Sequence, residues 1–498
     1  MITSSALRDR LLQVAVALDI QTGGTPQTLD AAVRILTNSL PAPSTEVTYL
    51  LLAATSGTIP QAEEVITLER QWRLTGTADL LTAVLERAKD VNRWRSPRPI
   101  RIESGIIVDV HDTAHTPFTT GIQRVVRSTL AVWLDSHDPL LITWTSQMDA
   151  PRTLTPAEYQ LATGRPGGAK RTELIIPFRG VWILPEISTA PARASRVRTI
   201  ALFAGEHTAA IGYDAIPITS AETAGPGMPG RFAGYLATLA QFDRVAPISD
   251  CSQTEYRGID AMLRGAGIAG PNIDTIALPT VVDGEAADEA AVRRAGIPDG
   301  ATLVLAVGSH EPRKNHLAVL QAAELAWRAG HKFTLAFVGG NSWARIGFDA
   351  VIEDARRRGR SIVTLSAASD PTVLALYRRA RFTVFPSINE GFGLPVVESI
   401  SEGTPVITSD FGSMRESAEG KGGLLVDPRD DHALAAAIEK LLTDDKLLAK
   451  LRAQAAKAPV RTWETYANEL WAAFVPAGFS APKPAPAGVR STAPAETK

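Results

Sequence analysis

The segment PSINEGFGLPVVES (386–399) concentrates residue types suited to an anionic, hydroxyl-rich ligand. The apolar run Phe382–Phe385 reads as a strand that feeds it, and the spacing after the glycines predicts a helix. Gly391 and Gly393 let the backbone approach a ligand closely. Pro395 stands where the first helical turn tolerates its missing N–H. The free N–H groups and the dipole of that turn favour a phosphate. Glu390 falls on the loop and Glu398 about one turn into the helix, where carboxylates would accept hydrogen bonds from sugar hydroxyls. The alternative is a Gly-Pro turn with two solvated glutamates.

The Glu-x7-Glu spacing in NEGFGLPVVE resembles the signature of the retaining glycosyltransferases of family 4. The resemblance runs over about residues 300–475 and includes VGSHEPRKNH (307–316), ALYRRARFTVFPS (375–387), TPVITSDFGSMRESA (404–418) and GGLLVDP (422–428), in the family's order. It implies the GT-B fold, in which two Rossmann-like doubly wound domains face a cleft, with a nucleotide sugar as co-substrate and no metal or other cofactor. Arg313 and Lys314 would stabilise the charge growing on a departing diphosphate. Glu390 would contact the donor sugar and Glu398 the ribose hydroxyls. Gly308 and the backbone of Phe392, Gly393 and Leu394 would line the donor pocket, and Ser366–Ser369 would flank the nucleobase. Asn315 is expected to fix its loop, and Glu416 serves either the site or the structure. Ser309 stands where relatives often carry a basic residue.

The first half of the chain supplies the facing wall. GIIVDV ends at Asp109 and leads through HDTAHTPF to TTGIQRVVRSTL, where Thr119 or Thr120 can cap a helix and Gly121 allows a tight loop. The run TGIQRVVR looks like the first strand-to-helix turn of family members that assemble surface polysaccharides. Gly121 is expected at the donor, while Arg124 faces either the cleft or solvent. Asp109 and Asp214 are further cleft candidates. Tyr213, in IGYDAIPI, stands where many relatives have histidine. His111 and His115, with Asp109 and Asp112, have spacing that would permit a metal site, against which the resemblance argues. Each histidine is also open to a structural or solvated reading.

These residues need a scaffold of ordinary globular kind. The chain has 498 residues, 51 basic and 53 acidic side chains for a net charge of −2, 45% hydrophobic and 21% charged residues. That balance argues against wholesale disorder and against a protein that coats nucleic acid. One cysteine, Cys251, excludes an internal disulfide and a cysteine-based zinc site. The first residues do not read as a signal peptide, and no apolar run reaches the ~18–20 residues that span a bilayer. A cytoplasmic protein, peripheral at most to the inner face of the plasma membrane, is expected. Residues 1–95 read as helices of an interaction or docking region that binds a protein partner or mediates oligomerisation. Strand–helix alternation then predicts parallel sheets in an acceptor domain over 98–282 and a nucleotide-sugar domain over 283–475. Among the apolar runs of the first of these are Thr199–Phe203 and Ala210–Ile216. The helical run 463–474 is expected to cross back onto the first domain, and the Pro-rich tail 476–498 reads as disordered. The basic clusters Arg356–Arg360 and Arg378–Arg381 present either a solvated face or an anionic-membrane contact.

The expected function is transfer of a hexose from a nucleotide sugar, GDP-mannose or a related deoxyhexose nucleotide by preference, to a glycan or lipid-linked acceptor of a surface polysaccharide. A nucleotide-sugar epimerase of the same fold and a non-catalytic sugar-nucleotide-binding scaffold are the rivals.

Overall fold

The computed structural model describes residues 2–94, 98–117, 120–281, 289–298, 300–340, 345–366 and 368–480. Thr119, part of the 95–99 boundary, part of the 280–300 joint, Ala367 and the tail from 481 lie outside them. The first domain contains strands β1 (Ile100–Glu103), β2 (Ile106–Asp109), β3 (Leu140–Trp144), β4 (Pro151–Thr153), β5 (Leu174–Pro177), β6 (Val181–Leu184), β7 (His207–Gly212), β8 (Arg244–Pro247) and β9 (Asn272–Ile273). The second contains β10 (Leu303–Val307), β11 (Thr334–Val338), β12 (Ile362–Leu365), β13 (Phe382–Phe385), β14 (Val406–Ser409) and β15 (Gly423–Val426).

Among the described residues the first sheet runs β1-β5-β4-β3-β2-β6-β7-β8-β9, and the second β12-β11-β10-β13-β14-β15. The second sheet is parallel throughout its pairs, and β11, β13 and β14 are buried along their whole length. Such strands, covered by helices on both faces, read as continuous apolar runs, which is why they were legible. The strand order reverses between β10 and β13, so the loops leaving their C-terminal ends lie side by side at a topological switch point. The first sheet has a matching switch point between β2 and β6.

Three features differ from the sequence expectation. Thr199–Phe203 is the last turn of a helix, Pro191–Phe203, because a five-residue apolar run alone cannot distinguish helix from strand. Ala210–Ile216 divides between β7 and a short helix, Ile216–Thr219. The first sheet is mixed, since β4 runs antiparallel to β3 and β5.

The helices of residues 4–91 share one core with the first sheet: Leu11, Leu50, Leu51, Leu81 and Val84 belong to the same buried cluster as Ile107, Trp144, Ile175 and Trp182. Helix Thr45–Ser56 (TEVTYLLLAATS) is apolar nearly all round and is buried accordingly. Buried Arg10 reaches Thr55 O at 2.7 Å and Arg98 O at 2.9 Å, tying the first helix to the chain that enters β1. The helical region therefore shares the core of the first domain. Helix Trp463–Phe474 likewise belongs in space to the first domain, as expected of the crossing helix. Its Ala467 O accepts from Trp133 Nε1 at 2.8 Å, and Trp471 stacks on His137 with ring centroids 3.8 Å apart.

Glu206, just before β7, is buried beside Tyr49 of the helical region, and burial outweighs what the nearby Gly180 backbone offers its carboxyl group. Burial pushes its pKa well above the usual carboxylate range. A raised folded-state pKa gives stability that is complete below the unfolded pKa and is lost as pH rises towards the folded value. Glu206→Gln should therefore raise the melting temperature at pH 8 by a few degrees, and the gain should shrink as pH falls to 4.5. Melting curves across that range check it.

Candidate active site

The loops after β10 and β13 build the site. After β10 the chain passes Gly308 and a single 3-10 turn, Pro312–Lys314, to Asn315, whose φ of 59° is left-handed. Asn315 Nδ2 donates to Pro386 O at 3.2 Å and to Pro428 O at 2.7 Å. Ile388 N and Ser387 Oγ both donate to Arg313 O, at 2.7 and 2.9 Å. The two loops are thus joined along their backbones, and Asn315 fixes its loop as the sequence predicted. Gly393 (φ 88°) then turns the chain into helix Leu394–Ser401, with Pro395 in the first turn.

This framing brings Glu390, Lys314 and Arg313 together. Lys314 Nζ lies 2.6 Å from Glu390 Oε1, Arg313 Nη1 lies 2.6 Å from Oε2, and Ser387 Oγ donates to Oε1 at 2.6 Å. Glu390 and Lys314 are both buried. Burial alone would raise the Glu390 pKa, but Lys314 and Arg313 hold it down to about 2. Burial pulls Lys314 downward against the attraction of Glu390. Glu311 also pairs with Arg313, 2.9 Å from its Nε, so the cluster is a fixed carboxylate between two cations, one of which is shared with a second carboxylate. Gly308 joins it: a Cβ there would lie 3.6 Å from Lys314 Cδ.

The first domain closes over these loops. Ser249 Oγ and Ser252 Oγ donate to Gly391 O at 2.6 and 3.1 Å, and a Cβ on Gly391 would come within 2.9 Å of Asp214 Oδ2. Phe392 is buried in the first domain's core cluster with Val110, Ile211 and Tyr213, and Leu394 packs against it. Gly121 opens helix Gly121–Ser136 opposite Leu394, 3.6 Å from where its Cβ would be. Arg124 Nη1 on that helix meets Glu398 Oε1 at 2.5 Å, while Tyr377 OH donates to Glu398 Oε2 at 2.8 Å. Glu416 accepts from Asp250 N and Cys251 N at 3.2 Å, covering the start of helix Asp250–Gly265, so its role here is structural. Burial raises Asp214 to about 6, against the pull of Arg313.

Most of the predicted residues therefore meet where the two domains touch, with one clear exception. Asp109 is fully buried and consumed: it accepts from Trp144 Nε1 at 2.8 Å and lies 2.9 Å from Arg193 Nη2. Arg193 also holds Glu186 at 2.7 Å and Asp112 at 2.8 Å. Glu186 accepts from Asp112 N, Thr113 N and Thr113 Oγ1 at 2.7–3.0 Å, and its pKa rises to about 7, chiefly through burial. This sealed network fixes the β2 and β6 ends of the first domain, and is not a cleft wall. His111 belongs to it, with Nδ1 2.8 Å from Thr143 Oγ1, and burial holds it neutral, down to about 3. His115 lies 3.2 Å from Glu158. Among the described residues no group of three or more His, Cys, Asp or Glu side chains is placed to hold a metal ion. Tyr213 points into the core, its hydroxyl donating to Pro185 O at 2.7 Å. The basic clusters are largely tied to acidic neighbours, as in Arg360–Glu324 at 2.8 Å and Arg381–Asp445 at 2.5 Å.

Sequence reading missed Tyr377, Ser249, Ser252, Ser387, Arg193 and Glu186. The serines carry no local signal of a partner far along the chain. Arg193 is one of three arginines in its helix, with Arg196 and Arg198, and nothing local singles it out.

Residues 288–458 match the model of "Glycosyl transferases group 1". They are a group 1 glycosyltransferase domain. Over 333 residues the chain is 28% identical to the serotype-specific mannosyltransferase WbdA of Escherichia coli, covering 63% of this chain and 40% of that protein. The chain thus spans less than half the length of that relative. Among solved structures, HepE of Anabaena in complex with UDP and glucose superposes with a TM-score of 0.54 at 15% identity, covering 74% of this chain and 98% of that one. Sucrose-phosphate synthase from Thermosynechococcus elongatus gives 0.52 at 17% identity over 74% and 97%. The fold is GT-B, with the group 1 domain supplying Glu390, Lys314 and Arg313 and the helical region added to the partner domain.

Removing Arg193 would leave two fully buried carboxylates without their cation. Arg193→Met is expected to cost about 3–5 kcal/mol of stability, measured by urea unfolding, because breaking a buried ion network strands its charges.

Proposed function

We propose that this chain transfers a hexose from a nucleotide sugar to a glycan or lipid-linked acceptor in surface-polysaccharide assembly, with retention of anomeric configuration and without a metal ion. The observation that carries the reading is the buried Glu390–Lys314–Arg313 cluster beside the N-terminus of helix Leu394–Ser401, at the switch point of a group 1 domain. Its two fixed cations would offset the charge that builds on a leaving diphosphate, the role a divalent ion would otherwise fill. The N–H of Leu394 adds a donor of the same sign, Pro395 having none and Val396 N already donating to Gly393 O at 2.9 Å. Glu390, whose Oε2 takes one donor where Oε1 takes two, would accept through Oε2 from a hydroxyl of the donor sugar, and Glu398 from the ribose. The acceptor would enter from the first domain, near Asp214 and Gly121. In such a site the acceptor hydroxyl attacks from the face the leaving group quits, and the departing phosphate takes its proton. The closed loops would keep water from the donor.

GDP-mannose is the donor we favour, since the WbdA relative is named a mannosyltransferase, while the UDP in the HepE complex makes the base a question for experiment. Among the described residues no helix is long and apolar enough to cross a membrane, so a lipid-linked acceptor would be met at a membrane surface, the inner face of the plasma membrane in our reading.

A thermal-shift series with GDP, UDP, ADP and TDP and their sugar conjugates, with and without EDTA, should give one selective, EDTA-insensitive stabilisation. Lys314→Ala should then lower kcat by about 10²–10³-fold with a smaller change in KM. Free nucleotide without glycosyl product would point to the epimerase, a selective shift without turnover to the scaffold, and absence of any shift would overturn all three readings.

A further inference from the structure

The two oxygens of Glu398 are held from opposite sides of the cleft. Tyr377 OH, from the same domain, donates to Oε2 at 2.8 Å, and Arg124 Nη1, from the other domain, reaches Oε1 at 2.5 Å. Tyr377 is fully buried and fixes the orientation of the carboxylate within its own domain. Arg124 keeps 24% of its side chain exposed and Glu398 12%, so this pair sits at the cleft and not in a core. The helix bearing Arg124 begins at Gly121, which faces Leu394, the first residue of the helix bearing Glu398. The N-terminal ends of the two helices are therefore pressed together where a nucleotide would have to enter.

We propose that Arg124 is a cross-cleft latch, occupying the ribose-binding carboxylate of the empty enzyme and holding the domains shut until a nucleotide displaces it. The inference rests on the reading that Glu398 receives ribose hydroxyls. A ribose hydroxyl donates to a carboxylate, as the guanidinium does, and Arg124 would fill the space beside Oε1 that the hydroxyl would take. Tyr377 does not compete, because it occupies the other oxygen and leaves Glu398 aimed at the cleft. The latched form binds nucleotide poorly, so the apparent affinity equals the intrinsic affinity multiplied by the unlatched fraction. The latch thus couples donor entry to opening of the cleft. Release also frees a guanidinium next to the incoming ligand.

The test uses the full chain, as wild type, Arg124→Ala and Glu398→Gln, each checked for native helix content by circular dichroism. Titration calorimetry with GDP and with UDP measures binding, and hydrogen–deuterium exchange of the ligand-free protein measures opening at 386–401. Arg124→Ala should bind the preferred nucleoside diphosphate tighter by about three- to tenfold. It should also speed exchange in the 386–401 segment. Glu398→Gln should speed exchange in the same segment but weaken binding, because it frees the latch and removes the ribose acceptor together. Weaker binding by Arg124→Ala would make Arg124 a ligand of the nucleotide and overturn the latch, as would unchanged binding. If neither nucleotide binds any of the three proteins, the nucleotide-sugar reading fails. The exchange data then decide the latch alone: faster exchange in Arg124→Ala keeps it, and unchanged exchange removes it.

Discussion

A buried carboxylate is the constraint from which the architecture of the cleft follows. Glu390 cannot remain ionised away from water unless cations are brought to it, and both come from a loop about 76 positions earlier in the chain. Adjacent strands that diverge at a switch point are the arrangement that places two such loops side by side, and β10 and β13 provide it. The loops must also be held to hydrogen-bond precision. Asn315 accepts a left-handed backbone to bridge Pro386 and Pro428, and Ser387 and Ile388 bind the carbonyl of Arg313 itself. The residue that carries a cation is therefore tied through its backbone to the segment that carries the anion.

The first domain solves the same electrostatic problem in the opposite sense. At its own switch point one guanidinium, Arg193, faces three carboxylates, and two of them are fully buried. The excess negative charge is relieved because Glu186 is pushed up to about 7 and because backbone and hydroxyl donors of Asp112 and Thr113 face it. Such a network has little capacity left for a ligand. It gives the first domain a rigid floor, whereas in the second domain two cations face two carboxylates, Glu390 and the part-exposed Glu311. The contrast explains why Asp109, although at the C-terminal end of a strand where ligands of α/β sheets bind, is a structural residue.

How much of this was legible in the chain depends on the range of each interaction. The Glu-x7-Glu segment, its glycines and the paired Arg313 and Lys314 are local patterns, and the structure gathers them as a local reading suggests. The parallel strands of the second domain were legible because burial on both faces makes them unbroken apolar runs. Pairings across hundreds of residues were not. Ser249 and Gly391 are 142 positions apart, and a serine is compatible with a cap, a turn or a solvated surface until its partner is known. Three of the five helices of residues 4–91 were visible as periodic stripes, at Leu7–Leu18, Leu29–Leu40 and Leu80–Val91, yet a stripe does not name the surface that covers it. Helix Thr45–Ser56 carried the hint, since a helix apolar on nearly every side needs cover all round, more than its neighbouring helices alone provide.

The loop 390–394 belongs energetically to both domains. Its side chain at 390 is neutralised by its own domain, its carbonyl at 391 is bonded by serines of the other, and its side chain at 392 is part of the other's core. Separating the domains would leave the Gly391 carbonyl to water and expose Phe392, while the charge cluster at Glu390 would lose its cover and face a higher dielectric. Electrostatic stabilisation by Lys314 and Arg313 is strongest when water is excluded. Closure and the chemical competence of the cluster are therefore one event, set by a five-residue segment, and not two properties that evolved on separate parts of the fold.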